Sequence, residues 1–251
     1  MTKIKKNKLR ITNYGLLITL LAVSCGLLIT TVVQSQRPQI EITLTWSTDT
    51  YVPLDYPGKA LPSRGSAVEI TANIDSPGIN PQELIYNWFL NDAIQKAGSG
   101  QGKQVFRFNI GESITKVNLI KVEVSNREKT VAAVSSYLPL KPVEPEIILK
   151  TKARFLTSLN LEKNYLISGN QEIEFFAQPY FFNINNVNEL NYSWGLGGKT
   201  ALKTSSANPN VFILKIGKLV QIVKKTLLVW VENRNNLIQR TQTGAEITLI
   251  P

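Results

Sequence analysis

Few side chains in this sequence can do chemistry. The chain has 251 residues and no histidine, which removes the commonest general base and the commonest transition-metal ligand. Its one cysteine, Cys25, sits inside an apolar run. The usual nucleophile–base triads therefore cannot be assembled, and no intrachain disulfide can form. Catalysis by paired carboxylates needs two positioned acids. Asp49, Asp55, Asp75 and Asp92 fall in separate places in the first half, and residues 146–251 contain no aspartate. Asp49, Asp55 and Asp92 offer oxygen ligands of the kind calcium takes, but acids scattered over turns read more simply as solvated. Gly98-Ser99-Gly100-Gln101-Gly102-Lys103 superficially suggests a phosphate-cradling loop. It lacks the strand–loop–helix setting and the Lys-Ser/Thr ending, and reads as a hairpin turn. The expectation is a protein that is not an enzyme, with no cofactor, no metal and no small-molecule substrate.

Charge excludes another class. The net charge is +10, but Lys3, Lys5, Lys6, Lys8 and Arg10 all precede the first acid, Glu41. What remains is a mild excess without a basic stripe or binding motif, so no nucleic-acid partner is expected. Lys224-Lys225 reads as a solvated turn.

The basic residues introduce a membrane segment. Residues 14–34 are uncharged and almost entirely apolar. About 20 helical residues span roughly 30 Å, the thickness of the hydrocarbon layer, and a signal-peptide core is shorter. The expectation is a basic cytoplasmic tail at 1–13, an uncleaved transmembrane helix at 14–34, and everything after it outside the membrane by the positive-inside rule. Two alternatives remain: signal cleavage after Ser35, giving a secreted module, and lipid attachment at Cys25 through the weak Leu21-Ala22-Val23-Ser24-Cys25 pattern.

The remainder is written twice. Leu84-Ile85-Tyr86-Asn87-Trp88-Phe89-Leu90 returns 106 positions later as Leu190-Asn191-Tyr192-Ser193-Trp194-Gly195-Leu196. The same offset carries Phe106 to Phe212, Phe108 to Leu214 and Ile110 to Ile216. A period of about 100 residues is the size of a whole β-sandwich. Period-2 patterns place strands around Ile40–Trp46, Val68–Ile74, Tyr86–Leu90, Phe106–Ile110, Ile120–Val124 and Val131–Leu138. In the second copy they fall at 173–178, 190–196, 211–216, 227–231 and 245–250. Residues 50–65, rich in Pro, Gly, Asp and Tyr, read as a long loop or sheet-switching edge, and 183–191 as a polar loop. The boundaries are a first sandwich at 37–141, a stiff Pro-rich link at 142–145 and a second sandwich at 146–251. The predicted core is Tyr86, Trp88, Phe106 and Phe108 in the first copy, and Tyr192, Trp194, Phe212 and Leu214 in the second.

The Tyr-x-Trp-x-Leu strand, the glycine after the Phe-rich strand and the Val-x-Val-x-Asn strand (Val122, Val124, Asn126; Val229, Val231, Asn233) resemble the immunoglobulin-like and PKD-like modules of bacterial surface proteins. The resemblance covers about residues 38–251. The Asp-Gly-rich tryptophan motif of PKD repeats is missing, as are the paired cysteines of antibody domains. The resemblance implies an all-β fold of two tandem immunoglobulin-like antiparallel β-sandwiches, which would follow the one N-terminal transmembrane helix read from residues 14–34. It also implies a spacer or binding role with no catalytic residues to carry over.

One difference between the copies points to a contact face. Lys121 and Glu123 become Leu228 and Trp230, and on another strand Thr71 becomes Phe176. A charged face in one copy is thus apolar and aromatic in the other. Either Trp230 is covered by its own loops, by Phe181-Phe182 or by the other sandwich, or Leu228 and Trp230 form a docking face, since aromatics are enriched as interface anchors. The functional expectation is a membrane-anchored extracytoplasmic protein making protein–protein or adhesive contacts in a cell envelope. A secreted module, or an accessory or sensor subunit of an envelope enzyme or secretion complex, is the alternative.

Overall fold

Alternating apolar and polar residues become strands throughout. The computed structural model describes residues 40–128, 133–152, 164–200 and 207–251. In the first copy the strands are β1 (Glu41–Thr48), β2 (Ala67–Asp75), β3 (Leu84–Leu90), β4 (Ala93–Ile94), β5 (Gly100–Gln101), β6 (Val105–Asn109), β7 (Asn118–Asn126) and β8 (Val134–Leu140). In the second they are β9 (Glu146–Lys152), β10 (Asn164–Ser168), β11 (Glu172–Tyr180), β12 (Leu190–Leu196), β13 (Lys199–Thr200), β14 (Val211–Lys215), β15 (Val223–Asn233) and β16 (Arg240–Ile250). The 1–13 tail, the 14–34 segment and the cleavage and lipid features lie outside the described residues. Among the described residues no helix is long and apolar enough to cross a membrane.

In the first copy a β1-β2-β6 sheet faces a β4-β3-β7-β8 sheet, with β5 paired onto β3. In the second, β14-β11-β9 faces β10-β16-β15-β12-β13. Each sandwich encloses its own core, to which both of its sheets contribute. The chain passes from one sheet to the other and back in Greek-key order. The protein therefore carries two immunoglobulin-like β-sandwiches in tandem.

The sequence repeat extends to side-chain geometry. Trp88 and Trp194 are 0% and 1% exposed. Trp88 Nε1 donates to Lys103 O at 2.8 Å, and Trp194 Nε1 donates to the equivalent Pro209 O at 3.2 Å. The Trp88–Phe106 rings stack at 5.5 Å and 22°, and the Trp194–Phe212 rings at 5.5 Å and 24°. A buried indole needs an acceptor for its N–H, and both copies supply the same carbonyl. Tyr86, Phe106 and Phe212 are buried, while Phe108, Tyr192 and Leu214 are partly buried against their cores. A one-turn 3-10 segment precedes each Tyr-x-Trp strand, at Pro81–Glu83 and Val187–Glu189. The side chains of Asn80 and Asn186 accept a backbone N–H at the starts of the two turns.

Three features differ from the sequence reading. Not every pairing is antiparallel: β10 runs parallel to β16, from Asn164 opposite Glu246 to Ser168 opposite Ile250. This strand has five residues and one fully buried side chain, Ile167, so it carries almost no periodicity. Lys224 and Lys225 are not in a turn but are exposed residues of β15, held by pairing with Thr248 and Ile247. Finally, β16 starts at Arg240 rather than near Ala245, because its first residues are polar on both faces and pair regardless with Val229–Glu232.

The 50–65 loop packs against the second sandwich. Tyr51 N donates to Phe182 O and Phe181 N donates to Tyr51 O, both at 2.7 Å. Tyr51 packs against the second core, and the Tyr56 ring meets Tyr180 and Phe181 edge-on at 5.5 and 6.0 Å. The Pro-rich link is tied into the same junction. Val143 N donates to Pro62 O at 2.9 Å, Ser63 bridges Val143 in parallel, and Arg64 pairs with Glu144.

Candidate interaction face

Residues on β15 alternate between the core and the outside. Leu227, Val229, Val231 and Asn233 are buried, so Thr226, Leu228, Trp230 and Glu232 point outward. Cross-strand register then sets their neighbours. Ser193 and Gln242 flank Trp230, Gly195 and Gly244 flank Leu228, and Asn191 and Arg240 flank Glu232. The outer face of the β12-β15-β16 ribbon thus carries a central Trp230, polar groups on either side and two glycines.

The glycines leave room for the large side chains to lie down. A Cβ at Gly195 would stand 3.0 Å from Trp230 Cζ3 and 3.3 Å from Cη2. A Cβ at Gly244 would stand 2.5 Å from Leu228 Cδ2. The indole therefore leans across β12 and Leu228 leans the other way, across β16. Both are partly buried, and Gly195 is buried beneath the indole. Phe181 and Phe182 do not cover Trp230. Phe182 is in the second core, and Phe181 packs on Tyr56.

The first copy solves the same problem differently. Phe89 occupies the position of Gly195, so an aromatic ring covers that spot in both sandwiches, supplied by β3 in one and by β15 in the other. In the first copy the ring is capped. Lys121 Nζ lies 4.2 Å from the Phe89 centroid and donates to Glu123 at 2.7 Å. The Glu123 hydrogen bond raises the pKa of the Lys121 ammonium and holds the cation beside the ring. In the second copy Leu228 and Trp230 replace this pair, and among the described residues no cation sits over the indole. The sequence contrast marked this face, but the register with Gly195 and the loss of the cap required the structure.

A groove of about 470 Å³ runs along the Trp230 face. It is lined by the Trp230 indole, Ser193, Glu232, Arg240 and Gln242, among others. None of these four polar residues makes a side-chain hydrogen bond or ion pair among the described residues. Asn191 is engaged, because its Oδ1 accepts from Arg234 Nε at 2.7 Å. Phe176, the other apolar replacement, is on β11 in the opposite sheet.

The acids considered for chemistry are dispersed. Asp49 Oδ1 accepts from Ala67 N at 3.0 Å, and Asp55 lies 3.9 Å from Lys150 Nζ. Asp92 sits in the β3–β4 turn at φ 64°. Among the described residues no group of three or more acids, cysteines or histidines converges on one point. Gly100 and Gln101 pair with Tyr86 and Ile85 as part of a hairpin. What the sequence left unmarked is the junction chemistry of Ser63 and Gln239, both wholly buried and polar.

No protein-family model matches the chain, and no curated protein matches it. Solved structures do. One is the three N-terminal domains of the bacteriophage RB49 Highly Immunogenic Outer Capsid protein, at 16% identity, 84% of this chain, 59% of that one and TM-score 0.46. Another is the chicken CNTN1 FN1-FN3 domains, at 11% identity, 84% and 65% coverage and TM-score 0.31. A third is the full ectodomain of mouse nectin-like molecule 4 (Ig1-Ig3), at 10% identity, 85% and 64% coverage and TM-score 0.32. The chain spans less than two thirds of the length of each of these. Sheet order and the two separate cores carry the fold assignment, and likenesses at this level carry nothing about function.

Proposed function

We propose that this is a non-catalytic display protein whose second sandwich makes protein–protein or adhesive contacts through the Trp230 face. It is anchored by residues 14–34, with the sandwiches on the extracytoplasmic side of a cell envelope, as in the surface modules it resembles. The observation that supports the contact reading is the indole of Trp230, over which no cation sits among the described residues, in a groove beside Leu228, where the first copy has a self-satisfied Lys121–Glu123 pair over Phe89. The anchor reading is supported by the length of the apolar segment and the basic residues ahead of it. The junction between the sandwiches supports a stiff presentation of that face.

The test uses the full chain in cells. Fractionation should leave it in the membrane, with residues 38–251 digested by protease added from outside. Release of a product lacking residues 1–35 into the medium would replace the anchored reading with the secreted one. A photo-crosslinking amino acid at position 230 should trap a discrete adduct in intact cells. The same group at Tyr137, which is 59% exposed on the first sandwich, should not. Equal adducts from both positions, or none from 230, would remove the Trp230 face from the proposal.

A further inference from the structure

We infer that the Trp230 groove binds a neutral oligosaccharide chain, with one pyranose ring stacked on the indole. This inference rests on the Trp230 face being the contact surface.

Three features of the groove select this ligand class. The first is the platform. The Trp230 ring leans over Gly195 and carries no capping cation among the described residues, so it presents a flat apolar surface about the size of one sugar ring. A pyranose has a C–H face of matching shape, with its hydroxyls around the edge. The second is the rim. Ser193 and Gln242 stand directly opposite Trp230 on the two neighbouring strands, and Glu232 and Arg240 face each other one pair further along. A hydroxyl and an amide each donate and accept, a carboxylate accepts and a guanidinium donates. Sugar hydroxyls need both kinds of partner, and these four side chains have no hydrogen-bond partner of their own among the described residues. A few placed polar groups around an apolar floor are what orient a ligand in a binding site.

The third feature is charge. Among the described residues that line the groove, Glu232 and Arg240 are the ionisable ones, one of each sign, so this lining carries no net charge to attract a polyanion. That disfavours nucleic acid and sulfated or uronic chains. Open groove geometry along the strands suits a chain that runs past the platform.

The experiment uses residues 38–251, which form one compact unit. The probes are cellohexaose, mannohexaose, chitohexaose and maltohexaose, with a hexameric oligogalacturonate as the charged control. Binding is followed by tryptophan emission and calorimetric titration. At least one neutral hexaose should bind saturably and more tightly than the oligogalacturonate. Trp230→Ala should weaken it at least tenfold, and Gln242→Ala and Ser193→Ala several-fold, with melting temperature and circular dichroism unchanged. Failure of all four neutral chains to bind, or binding that survives Trp230→Ala, overturns the inference. The crosslink at position 230 separates this failure from that of the contact face itself. A protein adduct that persists after enzymatic deglycosylation, with no hexaose bound, keeps the face and rejects the sugar. Absence of both rejects both.

Discussion

Gln239 Nε2 donates to Ser63 Oγ at 2.8 Å, joining residues that are 176 positions apart and both wholly buried. Ser63 Oγ passes the contact on, donating to Phe181 O at 2.5 Å. The Gln239 amide uses its full capacity. Its nitrogen also donates to Arg64 O at 2.8 Å, and its oxygen accepts from Asn183 N and Asn233 Nδ2, each at 2.8 Å. One side chain therefore ties the β15–β16 turn of the second sandwich to the long loop of the first. Gln239→Ala strips several buried groups of their partner, and each such group costs about 1–3 kcal/mol. The expected loss is about 3 kcal/mol in urea unfolding. A loss below about 1 kcal/mol would mean that water replaces the amide and that the network does not hold the junction.

The backbone exchange between Tyr51 and Phe181-Phe182, with Tyr56 packed on the neighbouring rings, couples the two sandwiches mechanically. Residues 38–251 are expected to melt in one calorimetric transition. Replacing residues 51–61 by a Gly-Ser segment of equal length removes the docked loop and should split the melt into two. A single transition in both proteins would place the coupling elsewhere.

Much of the fold is legible in the sequence, because the buried faces of β2, β3, β7, β11 and β15 alternate and the Tyr-x-Trp strand repeats at one offset. Strands that escape this reading lack that signal. β10 buries a single residue fully, and the start of β16 is polar on both faces. Leu228 and Trp230 stand out because charge turns apolar between the copies. Ser63 and Gln239 do not, because a buried polar residue in a loop looks like any solvated one until its partner, more than 170 positions away, is in place.

The equivalent tryptophans provide a comparison within one chain. Trp88→Phe and Trp194→Phe keep the stacked ring but delete the N–H donor to Lys103 O and Pro209 O. Each should lose about 1–3 kcal/mol, through the lost bond and the smaller ring. Because the residues sit in separate cores, the double variant should equal the sum within about 0.5 kcal/mol. A larger departure, measured by urea unfolding, would show that the cores communicate through the junction.

Gly195 and Gly244 should respond differently to a methyl group. At Gly195 the nearest obstacle is the indole edge at 3.0 Å, which has open groove to move into, and the Lys199 backbone oxygen stands further off, at 3.3 Å. Gly195→Ala should leave stability within about 0.5 kcal/mol while shifting Trp230 emission and weakening whatever binds the face. At Gly244 the new Cβ meets Leu228 Cδ2 at 2.5 Å and Leu227 O at 2.9 Å, and the backbone oxygen cannot swing away. Gly244→Ala should cost about 1–3 kcal/mol, the usual range for overpacking. Equal stability of the two variants would mean that Leu228 does not lie across β16.

Tyr86 and Tyr192 occupy the same place in the two copies but differ in one bond. Tyr86 OH donates to Pro81 O at 3.0 Å, whereas the buried Tyr192 hydroxyl has no partner among the described residues. Burial pushes the Tyr86 pKa from 10.0 up to about 12, against a small opposing effect of Gln104. Burial raises Tyr192 as well, with the nearby Tyr51 adding to it. Both groups are protonated in the native state at a pH where the unfolded chain ionises. Their stabilisation is therefore complete below pH 10 and is lost as pH rises toward and through the folded values. Tyr192→Phe removes a buried hydroxyl that has no bond, so it should stabilise the protein by about 1 kcal/mol at pH 8 and make the decline above pH 10 shallower. Tyr86→Phe should instead lose about 1 kcal/mol at pH 8, because Pro81 O loses its donor. Urea unfolding of both variants at pH 8 and pH 11 measures this. Destabilisation by Tyr192→Phe at pH 8 would show that the Tyr192 hydroxyl is hydrogen-bonded in solution.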